Sequence, residues 1–129
     1  MADNGDRQTI ERFWEALARK DFDSALSVVH DEFEERYPQS GEVIKGRRNF
    51  EGLLKNFPGF PSIRHLRTRG GNEVWVSELE FDYGGDMAGQ KWQVCEIIEM
   101  RDGKLWRIQA FFGQPFEPAE WRVPWAERV

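Results

Sequence analysis

A single cysteine, two histidines and 23 acidic residues are the side chains from which this sequence could build a reactive site. One cysteine cannot close an intrachain disulfide, and with two histidines it cannot complete a Cys/His zinc site. The run Glu78, Glu80, Asp82 has no companion histidine and faces basic residues, so no metal ligand set is expected. There is no G-x-S-x-G elbow and no Gly-rich phosphate loop of either common pattern. What remains is carboxyl chemistry, and the carboxyl that stands out is Glu96.

Register singles it out. Gln90 to Arg101 and Lys104 to Gly113 alternate with period two around Asp102-Gly103, and a one-residue slip would send every side chain to the other face. A two-residue turn would set Arg107 and Gln109 beside Val94, Ile98 and Met100. A three-residue loop with Gly103 left-handed instead groups Trp106, Ile108, Ala110 and Phe112 with Trp92, Val94, Ile98 and Met100. The second arrangement segregates better and leaves one charged group, Glu96, on an apolar face. A three-residue loop at Gly70-Gly71-Asn72 pairs Arg64 with Glu78 and sets Ile63 and His65 beside Leu79 and Ser77. If the two faces are continuous, His65, Ser77 and Glu96 form a lateral polar set. The histidine is not between serine and acid, which excludes a Ser/His/acid triad. Each residue also has a bland reading: Glu96 as an exposed or hydrogen-bonded core group, His65 as part of the cationic edge of Arg64, Arg67 and Arg69, Ser77 as structural. Cys95 falls on the opposite face with no activating neighbour.

Three apolar sets at i, i+3, i+4, i+7 predict the helices that must close over this face: Ile10, Phe13, Trp14, Leu17; Phe22, Ala25, Leu26, Val29; and Phe50, Leu53, Leu54, Phe57. Asp21 is placed to cap the second and Pro58-Gly59 to end the third. Strands are expected at Phe33 to Tyr37, Val43-Ile44, Ser62 to Arg69, Glu73 to Tyr83, Gln90 to Arg101 and Lys104 to Gly113, the last four antiparallel. Phe13, Trp14, Trp92, Ile108 and Phe112 are candidates to reach a cavity under the helices. The tail, residues 114–129, carries Phe116, Trp121 and Trp125 among three prolines and is expected to dock on the domain or on a second copy.

The 129 residues fit one domain, 1–129, and the 40% apolar content can line one core. A net charge of −5 gives no general attraction to nucleic acid or anionic membranes. The polar start MADNGDRQT and the lack of an apolar run near about 20 residues predict a cytoplasmic protein with no membrane partner. Apolar Cys95, Ile97, Leu105 and Phe111 on the outer face predict a homodimer.

The segments IERFWEALARKDFDSALSVVHDEFEERYPQSGEVIKG and IIEMRDGKLWRIQAFFGQPFE, with this order of elements, resemble SnoaL-like proteins of the NTF2-like fold. The resemblance covers nearly the whole chain. It implies an α+β cone, with three N-terminal helices on the concave face of a curved, mostly antiparallel sheet around an apolar pocket. Functions in that superfamily range from ketosteroid isomerases, cyclases, dehydratases and epoxide hydrolases to non-catalytic modules, so the fold names a pocket and not a reaction. Aligned with the ketosteroid isomerases, Phe13 stands at the oxyanion tyrosine and Tyr37 at the general base, while Glu96 matches the acid that donates to the oxyanion. The epoxide hydrolases' Arg and Asp set has no counterpart. The expectation is therefore a small, largely apolar ligand and cofactor-free acid–base chemistry, with Glu96 as acid or base, Tyr37 as donor and His65 as partner. The alternative is an accessory or dimerisation module with a filled, vestigial pocket.

Overall fold

The computed structural model describes residues 5–129; the first residues of the polar start lie outside them. Helix α1 (Asp6–Ala18) buries Ile10, Phe13, Trp14 and Leu17, the face set by the apolar spacing. Helix α2 (Phe22–Leu26) is capped by Asp21, whose side chain accepts the Ser24 backbone N–H at 3.2 Å. It ends earlier than its spacing predicts. Val29 opens strand β1 (Val29–Tyr37), because a β-branched residue that satisfies the helical period also packs on a sheet, where it faces Leu105. Strand β2 (Glu42–Lys45) and helix α3 (Arg47–Lys55) follow, then β3 (Ser62–Gly71), β4 (Val74–Asp82), β5 (Trp92–Arg101) and β6 (Lys104–Gly113).

Among the described residues the strands form one six-stranded curved sheet in the order β2-β1-β6-β5-β4-β3. All neighbours are antiparallel except β1 and β6, which run parallel. The helices lie on the concave face, α1 against β3 and α3 against β1, which is the α+β cone expected. One end of the cone is filled by Val29, Trp75, Ile98 and Leu105, all at most 1% exposed. The other end, where β1, β4 and β6 finish and β3 and β5 begin, holds the cavity.

Both hairpins correct the expected loops. At Asp102-Gly103 the turn has two residues, with φ of 54° and 72°, and a bulge at Trp106 then restores the face the apolar pattern demands. Ile98 therefore faces Ile108, and Glu96 faces Ala110. Two side chains change place. Trp106 leaves the concave face and sits between Arg101 and Arg107, at 5.0 and 4.2 Å, while Leu105, expected outside, is fully buried. At the other hairpin the turn is Asn72-Glu73, with Asn72 at φ 57°. A bulge after His65 then gives Arg64↔Glu80 and Arg67↔Glu78 in place of Arg64 with Glu78. These are exposed ion pairs of small energetic consequence. The continuity expected across Gly84 to Gly89 holds: Ser77 faces Glu96 and Phe81 faces Trp92.

The tail does not dock on its own domain. Residues 120–125 form a 3-10 turn that leaves Phe116, Trp121, Val123 and Trp125 between 69% and 82% exposed. Among the described residues no helix is long and apolar enough to cross a membrane.

Candidate functional site: a buried carboxyl pair in an aromatic cavity

A cavity of about 230 Å³ opens between the helices and the sheet. Its floor is buried: Phe13, Trp14 and Leu17 from α1, Phe50 and Leu54 from α3, and Phe81 from β4. Its rim is half-buried: Tyr37, Leu53, Phe57, Phe60, Ile63, Tyr83 and Phe112. The rim aromatics meet edge to face, Tyr37 with Phe112 at 5.8 Å and Phe81 with both Phe112 and Tyr83 near 6 Å, which fixes the rings by mutual contact. Among the described residues no Lys, Arg or His lines the cavity.

Two carboxyls stand in that floor. Glu96 is 4% exposed and Glu35 is 5% exposed. Glu35 faces Ile108 and Glu96 faces Ala110, so the two acids flank β6 from either side, two residues out of step, on the same concave face. Among the described residues no side chain or backbone group donates a hydrogen bond to either carboxyl. Burial without a donor disfavours the charged form. It pushes Glu35 up to about 8 from an ordinary 4.5. Glu96 is raised well above that ordinary value, first by burial and then by the charge of Glu35. Tyr37 is raised by burial, then by Glu35 and Glu96, and Tyr83 is pushed up to about 12 by burial and then Glu96. Both phenols are therefore neutral hydrogen-bond donors through the physiological range, whereas the carboxyl pair Glu35 and Glu96 can hold or release a proton near neutrality.

Of the residues singled out by sequence, Phe13, Trp14, Tyr37, Glu96 and Phe112 line the cavity. His65, Ser77, Trp92 and Ile108 do not. His65 is turned away to Thr68, with Nε2 2.8 Å from Thr68 Oγ1, because the bulge after it breaks the lateral set. Ile108 is 2% exposed within the core. Trp92 stacks edge-on against Tyr83 at 5.1 Å. Ser77, fully buried, accepts the Trp14 indole N–H at 2.9 Å and bonds Thr68 Oγ1 at 2.8 Å, so it holds a wall of the cavity rather than facing it. Ser77→Ala should cost about 1 to 3 kcal/mol, the penalty for leaving a buried indole donor unpaired, readable by urea denaturation. Equal stability would mean that the indole finds another acceptor.

Glu35 is not among the residues the sequence singles out, although a signal for it exists. Phe33, Glu35 and Tyr37 alternate just as Val94, Glu96 and Ile98 do, but the surrounding Glu32, Glu34 and Arg36 make the strand read as a solvated edge. Among the described residues no group of His, Cys, Asp or Glu side chains is arranged to hold a metal ion.

The SnoaL-like domain family matches residues 10–108. Among solved structures, an NTF-2 like protein of unknown function from Burkholderia xenovorans LB400 is similar with a TM-score of 0.84 and 32% identity, covering 96% of this chain and 94% of that one. A candidate ketosteroid isomerase from Kribbella flavida DSM 17836 has a TM-score of 0.84 at 18% identity, over 96% and 89% of the two chains. An LEH-like epoxide hydrolase from M. tuberculosis has 0.68 at 20% identity, over 83% and 81%. The last two share the fold alone. No match to a curated protein accompanies these likenesses. With most of its length matched, and with the curved sheet, closing helices and apolar cavity in place, this chain belongs to the SnoaL-like domain family of the NTF2-like fold.

Proposed function

We infer that the cavity binds a small, largely apolar molecule and moves a proton on it without a cofactor. The observation that carries this reading is the pair Glu35 and Glu96, two buried acids in an aromatic floor with no donor to hold either as a structural carboxylate. A base that titrates near the working pH is the most effective proton carrier, and burial brings Glu35 there. In this reading Glu35 in its ionised form takes the proton, Glu96 in its acid form donates to the oxygen on which charge develops, and Tyr37 orients that oxygen from the rim. His65 has no part in it. The cavity exceeds the roughly 150 Å³ that admits benzene, which suits a ligand of about ten non-hydrogen atoms. The accessory-module alternative expects a filled cone, and the open cavity argues against it.

The test is deuterium exchange at the α-carbon of a neutral ketone of that size, 1-tetralone, in D₂O at neutral pD. The protein should accelerate exchange, and Glu35→Gln should remove about 100-fold or more of the acceleration. A ketone that binds, as read by tryptophan quenching, but exchanges no faster than in buffer would contradict proton transfer.

The same reading includes a homodimer in the cytoplasm. Val76 and Ile97 face each other on the outer side of the sheet, as do Cys95 and Phe111, and the exposed tail leaves β6 directly beside them. Three tail aromatics of about 200 Å² each, reciprocally covering two such faces, would bury roughly 2,000 Å² in all, the area of a stable interface. Light scattering at micromolar concentration should give a dimer, and truncation after Glu117 should yield a monomer. A monomeric full-length chain, or a truncated chain still fully dimeric, would refute the role of the tail.

A further inference from the structure

We propose that the polar end of the molecule this cavity takes is a basic nitrogen, so that the ligand class is a small lipophilic amine. The inference rests on the pocket reading above, but not on the proton-transfer step. Both buried acids lie on one face of the cavity floor, and neither is met by a donor or a cation from the protein among the described residues. Helix α1 contributes Phe13, Trp14 and Leu17, and α3 contributes Phe50, Leu53 and Leu54; none of these titrates or carries charge. The α3–β3 connection and β3 contribute Phe57, Phe60, Pro61 and Ile63, and β6 contributes Phe112, again all uncharged. The other titratable groups are the phenols Tyr37 and Tyr83, both neutral and both donors.

Such a site has donors and latent negative charge, but nothing positive. An anionic ligand would bring its charge into an apolar cavity lined, among the described residues, by no Lys, Arg or His, at a desolvation cost that the neutral donors only partly offset. A neutral oxygen can accept from both acids, but those bonds are neutral to neutral and draw nothing from the acids' latent charge. A nitrogen base is the stronger acceptor: with a carboxylic acid it forms a charge-assisted hydrogen bond, or the proton crosses and an ammonium faces a carboxylate. In the second case the cation stands in a cavity lined by Phe, Tyr and Trp rings, whose faces attract cations through their quadrupoles. The proton count is balanced: an ammonium entering from water meets two acids, one of them gives up its proton to solvent, and the ion pair that remains is neutral.

The experiment uses one flat nine-carbon indane frame with three end groups of different charge: 2-aminoindane, 2-indanol and indane-2-carboxylate. Binding is read by tryptophan quenching, since Trp14 is in the wall. Calorimetry in buffers of different ionisation enthalpy counts the protons released. The amine should bind at least tenfold more tightly than the alcohol at pH 7.5, the carboxylate should not bind, and the amine should displace close to one proton at pH 6.5. Its affinity should rise with pH up to about 8 and then level off, as Glu35 gives up its proton without help. In the double variant Glu35→Gln, Glu96→Gln, checked for folding by its melting transition, the preference for amine over alcohol should vanish. Alcohol binding that equals or exceeds amine binding would overturn the amine and leave the pocket reading standing. An amine preference unchanged in the double variant would also overturn it. If none of the three probes binds, the pocket reading fails with it.

Discussion

Glutamine in place of Glu35 or Glu96 should make the protein more stable at pH 7, and the gain should widen as pH rises. An unfolded glutamate ionises near 4.5, whereas folded Glu35 keeps its proton to about 8 because burial penalises the charge. Between those values the folded chain binds the proton that the unfolded chain releases. The stability tied to the acid form is therefore fully present below about 4.5 and is lost as pH rises through 8. The slope is about 1.4 kcal/mol per pH unit for one acid, so Glu35→Gln should gain about 3 kcal/mol at pH 7 and close to nothing at pH 4.5. Glu96→Gln should behave with the same sign. Urea denaturation between pH 4.5 and 8.5 checks both. If a glutamine instead costs about 1 to 3 kcal/mol at every pH, the carboxyl is a hydrogen-bonded structural hub and the acid–base reading loses its residue.

The second large effect is expected at Gly70, far from the cavity floor but close to what positions its wall. Gly70 has φ +139°, and a Cβ built there would collide with the Val74 carbonyl oxygen and lie 2.9 Å from Trp75 Cα. Both obstacles are backbone, and Trp75 is 1% exposed, so neither can give way without moving the β3–β4 pair and with it Thr68 and Ser77, which hold Trp14. Gly70→Ala should cost about 3 kcal/mol or more, from left-handed backbone strain plus the steric conflict. A thermal transition lowered by many degrees is the expected readout. The neighbouring Gly71, where a Cβ meets nothing within 4 Å, is the control and should tolerate alanine with a far smaller loss. Equal losses at the two positions would mean that the close approach of Gly70 is not what matters.

How much of the fold and the site is legible in the residues depends on which physical signal carries it. The concave face of β4, β5 and β6 is readable because apolar alternation is strong there and only one parity segregates it, and Glu96 stands out in the sequence for that reason. The loop sizes are not readable, because a two-residue turn followed by a bulge and a three-residue loop put most of the strand on the same face. The difference shows only locally, in Trp106 moving out, Leu105 moving in and His65 losing its place beside Ser77. Val29 satisfies both a helical and a strand pattern, and tertiary pairing with Leu105 decides between them. Glu35 is hidden because its strand is charged on the other face, so its own inward parity counts for little until the sheet order places β1 beside β6. For the tail only composition speaks, and composition does not say which surface such a segment meets.

The most direct measurement is the titration of the glutamate side-chain carboxyl carbons by carbon-13 NMR from pH 3 to 10, with Glu35→Gln and Glu96→Gln assigning the two resonances. Both carboxyls should keep their protons well above the usual carboxylate range, the Glu35 resonance should move with a midpoint near 8, and the Glu96 resonance should respond to that ionisation. Two carboxyls that ionise between about pH 4 and 5, as a glutamate free in water does, would contradict this.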